Sequence, residues 1–154
     1  MIGEYKKLKE WVPYLGSVDV IKQQSIIKRL VHLKIDLPVL FSNRDIVVDG
    51  TGFINEKEKS VCFLMKSFYD ESYFGTDVDS ECEGRVRMNL KHGFLYIRYL
   101  DDHSCHCKIV MNIDMKIGMA RSWVGSMVMN KVVKVFINTI FEKCKKFEGS
   151  VYHK

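Results

Sequence analysis

At 154 residues the chain has room for one domain, and its 47% hydrophobic content is enough for a sizeable core. No apolar run approaches the roughly 20 residues that cross a bilayer as a helix, and no secretory leader pattern opens the sequence, so a soluble, cytoplasmic protein is expected. The net charge of +5 is scattered without a DNA- or RNA-binding motif, which argues against nucleic acid and suits transient contact with an anionic membrane surface. Five cysteines (Cys62, Cys82, Cys105, Cys107 and Cys144) are odd in number and show no disulfide framework, so they read as reduced thiols.

In chain order, Tyr5, Leu8 and Trp11 give the segment Glu4–Trp11 a short helical spacing, and Pro13 and Gly16 end it. Two strand-like stretches follow, Val18–Ile27 and Leu30–Leu37. In the second, Val31, Leu33, Ile35 and Leu37 alternate with His32, Lys34 and Asp36, a period of two that predicts burial on one face. Asp45–Ile54 and Ser60–Phe68 are the next strands, joined by the polar run 55–59, which suits a hairpin loop. Residues 69–84 are acidic and strand-breaking, the longest irregular segment expected.

Arg85–Leu90 and Phe94–Leu100 read as strands with Gly93 as a bulge or tight turn between them. A polar turn at Asp101–Ser104 leads into a last strand, Cys107–Met115. The pattern then switches period. Between Arg121 and Phe147 there is no proline, and Met129, Val133, Phe136, Ile137, Ile140, Cys144 and Phe147 fall on one face at 100° per residue. Lys131, Lys134, Asn138, Glu142 and Lys145 fall opposite. A helix of about seven turns results, and its apolar face must pack on the sheet. The expected fold class is α+β: a curved antiparallel sheet of about six strands over one long C-terminal helix, with room between them for a small hydrophobic ligand.

Three segments carry a resemblance. Trp11-Val12-Pro13 precedes a strand. Pro38–Val47 reads PVLFSNRDIV, similar to a P…SNRD[FY]V signature. Asn112–Lys116, followed by Ser122-Trp123-Val124 and the long helix, is similar to an ID-x-K/G…P-x-W-[LI] ending. In this order and spacing they resemble the START (steroidogenic-acute-regulatory-related lipid-transfer) family, closest in wording to its phosphatidylcholine-transfer members. The resemblance implies a helix-grip fold over residues 1–154 as a single domain, with the family's first helix and first three strands absent. It also implies non-catalytic binding and intermembrane transfer of a lipid in an internal cavity, without a cofactor or metal. Gly50 stands where cholesterol-type members carry a second basic residue, so a phospholipid is favoured over a sterol.

Candidate lipid contacts are Arg44 and Asp45, Arg87 and Asn89, Tyr96 and Arg98, and Trp123, Met127 and Phe141 on the helix. Arg44 and Asp45 read more readily as an architectural ion pair or turn-to-strand cap, and Phe136 as plain core. Arg87, Asn89, Tyr96 and Arg98 alternate along strands, so only some can face inward. The resemblance makes 69–84 part of a gate, with Tyr73 and Phe74 positioned to enter a bilayer against the acidic residues around them. His103, Cys105, His106 and Cys107 offer soft ligands but lack a second Cys/His pair, so no metal site is expected. No nucleophile elbow, phosphate loop or dinucleotide fingerprint is present. Two other readings stand beside transfer: a lipid-sensing regulatory module, and a Bet v 1-like enzyme with Asp45 and His92 or His106 as acid and base.

Overall fold

The computed structural model describes residues 8–37, 42–68, 72–73, 76–77, 84–116, 130–131 and 133–142. A short helix α1 (Leu8–Trp11) leads through Pro13 into β1 (Leu15–Gln23). The strands β2 (Lys28–Ile35), β3 (Asn43–Asn55), β4 (Ser60–Ser67), β5 (Ser72–Tyr73), β6 (Thr76–Asp77), β7 (Arg85–Arg87), β8 (Asn89–Asp101) and β9 (Ser104–Asp114) follow. Residues 130–131 and 133–142 are helical and are called α2. The seven-stranded sheet has the order β1-β2-β3-β4-β8-β9, with β7 running parallel beside the start of β3. All its other pairings are antiparallel. The sheet is curved and is not closed into a barrel.

Local chemistry explains several joints. The 55–59 run closes the β3–β4 hairpin, with Asn55 Oδ1 accepting from the Glu58 N–H at 3.2 Å. Lys59 adopts a left-handed φ of 49°, which turns the chain back into β4. β5 and β6 form a separate two-residue pairing inside the stretch expected to be irregular.

The sequence reading places a break at Gly93; the structure places it at Met88. β8 runs unbroken through Gly93, and the register shift lies between Leu90 and His92. Gly93 is there for close packing: a Cβ on it would stand 3.3 Å from both Leu90 Cδ2 and Met65 Cβ. Met88 is buried between β7 and β8, and its N–H donates 2.8 Å to the Asp45 carbonyl.

Residues paired across strands share a face, so the register sorts the side chains. On one face Ile46, Val48, Met88 and Leu90 form a core joined by Leu33, Ile35, Met65, Ile113 and Met115. On the other, Leu30 and Val47 are 0% and 1% exposed, packed by Ile21 and Phe68. The expectation that the second strand is buried on one face is therefore corrected, because Leu30 lies on the face that also carries His32. Phe68, beyond the end of β4, and Ile21 cover it there.

Leu30→Ala should cost about 2–4 kcal/mol of unfolding free energy, read from urea denaturation, because the packed side chains around it can collapse only in part. A cost under about 0.5 kcal/mol would mean that this second core does not contribute.

Candidate functional site

Among the described residues, a ligand-sized space lies between β9 and α2. It is a groove of about 820 Å³, lined from the strand by Cys107, Ile109, Met111, Asn112 and Ile113. The helix contributes Val133, Phe136, Ile137, Ile140 and Phe141. Helical spacing brings these five to one side, as the amphipathic pattern requires. The volume falls within the roughly 300–1,000 Å³ of small-molecule sites. Its walls remain open to water: Met111 is 48% and Phe141 63% exposed. Apolar side chains left open at that level, in one concave strip, are the mark of a binding surface.

The register carries the groove face across the sheet. Ile113 pairs with Leu90, Met111 with Gly93 and Ile109 with Leu95. Gly93 pairs with Met65 and Leu95 with Phe63, and these in turn pair with Gly50 and Gly52 of β3. Gly50 faces Arg29, Val48 faces Val31, Ile46 faces Leu33 and Arg44 faces Ile35. This face is mostly apolar, with Arg29, Arg44 and Ser67 as polar members between β2 and β4.

Arg44 is 5% exposed. Its Nε donates 3.1 Å to the Met115 carbonyl, and its Nη1 donates to the Ser42 and Asn43 carbonyls. The guanidinium thereby ties the start of β3 to the end of β9, and burial lowers its pKa from the ordinary value. Asp45 points the other way. It is fully buried, with Oδ2 2.7 Å from His32 Nε2, from Arg87 Nε and from Arg87 Nη2. An ionised carboxylate only accepts, so His32 Nε2 carries the proton in this bond. Burial is the largest single influence on Asp45 and pushes its pKa up. The hydrogen bonds and charges of Arg87 and His32 outweigh it, and the net direction is down. Arg87 stands opposite Asp45 in the β3–β7 register, which is why the two meet.

Arg44 and Asp45 are thus neighbours in sequence on opposite faces, not partners of each other. Of the other candidates, Phe141 lines the groove. Asn89 pairs with Asp114 in register, on the same side as Asp45. Tyr96 and Arg98 pair with Lys108 and His106 on the face away from the groove, where Tyr96 meets the His106 ring edge-on at 6.3 Å. Neither His92 nor His106 meets Asp45; His32 does. Tyr73 lies in β5, while Phe74, Trp123 and Met127 are outside the described residues. Cys105 and Cys107 lie on exposed β9, and no cluster of three potential metal ligands occurs among the described residues. No described helix is long and apolar enough to cross a membrane. Sequence reasoning missed His32 and Arg29. His32 sits on a strand it had found and Arg29 just before that strand's expected start; their partners are set by β2–β3 register, which leaves no local signal.

Asp45→Ala should destabilise the fold by about 3–5 kcal/mol at neutral pH, because Arg87 and His32 would lose a buried acceptor. Since the folded pKa of Asp45 is depressed, its contribution is full above the unfolded value of roughly 3.9 and is lost as pH falls through the folded value. The stability gap between wild type and Asp45→Asn, from chemical denaturation at stepped pH, should therefore narrow below about pH 4. A gap that stays constant to pH 2 would show that Asp45 is not held ionised by its partners.

No family model matches the sequence, and no curated protein matches it. Solved structures do. Human STARD10 is similar over 96% of this chain and 57% of its own, at TM-score 0.76 and 14% identity. Human StAR-related lipid transfer protein 5 is similar over 92% of this chain and 65% of its own, at TM-score 0.70 and 14% identity. A STAR-related lipid transfer protein from Xanthomonas axonopodis is similar over 92% of this chain and 74% of its own, at TM-score 0.62 and 13% identity. The chain spans a little over half the length of human STARD10. With its curved antiparallel sheet and C-terminal helix, it has the START-domain, helix-grip fold.

Proposed function

We propose that the chain binds a lipid and carries it between membranes without chemical change. The observation that supports this is the apolar groove of about 820 Å³ between β9 and α2, on a fold shared with proteins described as lipid-transfer proteins. Acyl chains lying on Ile109, Met111, Ile137 and Phe141 would leave water, at about 0.8 kcal/mol for each buried CH₂. Met111 and Phe141, still open to solvent, would let the lipid leave at a bilayer surface.

A phospholipid is favoured over a sterol because the mostly apolar groove face carries the guanidinium groups of Arg29 and Arg44. Cations on such a face favour an anionic ligand group. The protein would work in the cytoplasm with transient membrane contact, helped by its net charge of +5. Among the candidate lipid contacts, Phe141 lines the groove and Arg44 lies on the same face of the sheet. The groove also serves the sensing alternative, in which a bound lipid alters a partner contact; transfer between vesicles separates the two.

Ile137→Lys places a charge on the groove wall at a position already open to solvent. It should cut uptake of fluorescent phosphatidylcholine from vesicles by about ten-fold or more, while Lys57→Ala in the β3–β4 turn leaves uptake unchanged. Wild-type uptake by Ile137→Lys would remove the groove as the binding site.

A further inference from the structure

We infer that the sheet face opposite the groove, over β3, β4, β8 and β9, is the surface by which the protein docks on an anionic bilayer; this rests on the membrane contact in the function proposed above. The register builds the face. Phe53, Cys62, Tyr96 and Lys108 form one row across the four strands. Thr51, Leu64, Phe94 and Val110 form the next. Both rows alternate with the groove residues Ile109 and Met111 and so point the other way. Phe53 is 52% exposed, and Leu64 and Val110 are 46% exposed each. The half-buried rings of Phe94 and Tyr96 lie parallel beside them, 6.3 Å apart. An apolar patch continuous over four strands and open to water marks an interaction site.

The charges around this patch have one dominant sign. Arg98 and His106 are register partners in the row beyond Tyr96 and Lys108. Lys66 and His92 stand at the opposite margin, two positions along their strands from Leu64 and Phe94. Lys108 closes the first row at the edge strand. All five of these residues are exposed. The carboxylate in these rows is Asp49, the half-buried register partner of Lys66. Three cations and two imidazoles thus border the apolar middle, against one acid.

An apolar middle inside a basic margin matches a leaflet with anionic head groups. The cations stay at the phosphate level while Phe53, Leu64 and Val110 reach below it. Tyr96 and its neighbouring rings suit that boundary, one side apolar and the other wet. A single-stranded nucleic acid would use the cations and the rings but gain little from Leu64 and Val110. A second copy would set basic margin against basic margin. The groove lies on the other face, so docking here leaves it facing away from the bound bilayer, and docking and lipid uptake become separable by mutation.

The test uses the full chain and co-sedimentation with phosphatidylcholine vesicles, with or without about one-third phosphatidylserine. Wild type should bind the anionic vesicles about ten-fold more strongly, and the excess should vanish in about 1 M salt. Arg98→Glu/Lys108→Glu should weaken that binding by about ten-fold or more. Lys9→Glu/Lys22→Glu changes the net charge equally, at exposed residues of α1 and β1, and should weaken it by about three-fold or less. Phe53→Ser/Leu64→Ser should weaken binding to both kinds of vesicle without moving the melting temperature. Ile137→Lys, expected above to lose lipid uptake, should dock at least as strongly as wild type. Wild type that stays in solution with anionic vesicles, equal losses in the two charge-reversed pairs, or docking abolished by Ile137→Lys would each overturn the assignment. Wild type that docks but takes up no lipid would remove the transfer reading and leave this face standing. A single-stranded oligonucleotide bound more tightly than the anionic vesicles, and released by Arg98→Glu/Lys108→Glu, would give the face to nucleic acid instead. A dimer that Phe53→Ser/Leu64→Ser dissociates would give it to a second copy.

Discussion

A carboxylate with no solvent exposure is tolerable only when donors converge on it. Asp45 is in that position, and its donors come from two different strands: His32 on β2 and Arg87 on β7. Satisfying it therefore fixes β3 between those strands in one register. Because successive side chains of a strand point to opposite faces, turning Asp45 one way turns Arg44, Ile46, Val48 and Gly50 the other way. A slip of one residue would put the charge into the apolar core and move Ile46 and Val48 to the far side. The same register, carried through β4 and β8, brings Ile109, Met111 and Ile113 to the groove.

The two faces consequently differ in chemistry. One is a largely apolar surface from β2 to β9, overlaid at the β9 end by α2 and interrupted by Arg29, Arg44 and Ser67. The other combines a small core around Leu30 and Val47 with the Asp45 network and a polar stretch on β8 and β9. Stability and ligand access are thereby separated: the best-buried groups sit near β3, while the groove lies at the edge strand β9, most of whose residues are exposed. A site near the edge of a sheet can open at little cost to the core, as the proposed exchange of a ligand would require.

Much of the architecture was legible in the residues. Period-two alternation located the main strands, the polar run 55–59 located a hairpin, and the 3.6 period of Val133, Phe136, Ile137 and Ile140 located a helix and its apolar side. The joint near Gly93 was misplaced because glycine marks both turns and close packing, and only its neighbours Leu90 and Met65 separate the two. The site was less legible. Arg44-Asp45 reads as a pair in sequence, but adjacency on a strand means opposite faces.

By itself, the sequence determined the element types, the helix face and the apolar character of any ligand space, because these follow from local periodicity and side-chain chemistry. The tertiary structure decided which residues share a face and with whom. His32 meets Asp45 across 13 positions of chain, Arg87 meets it across 42, and Arg29 comes to stand beside Gly50. Alternation states only that neighbours diverge; the choice of face is made by pairing between distant strands, where burying Asp45 among its donors and the valines among other apolar groups admits one register.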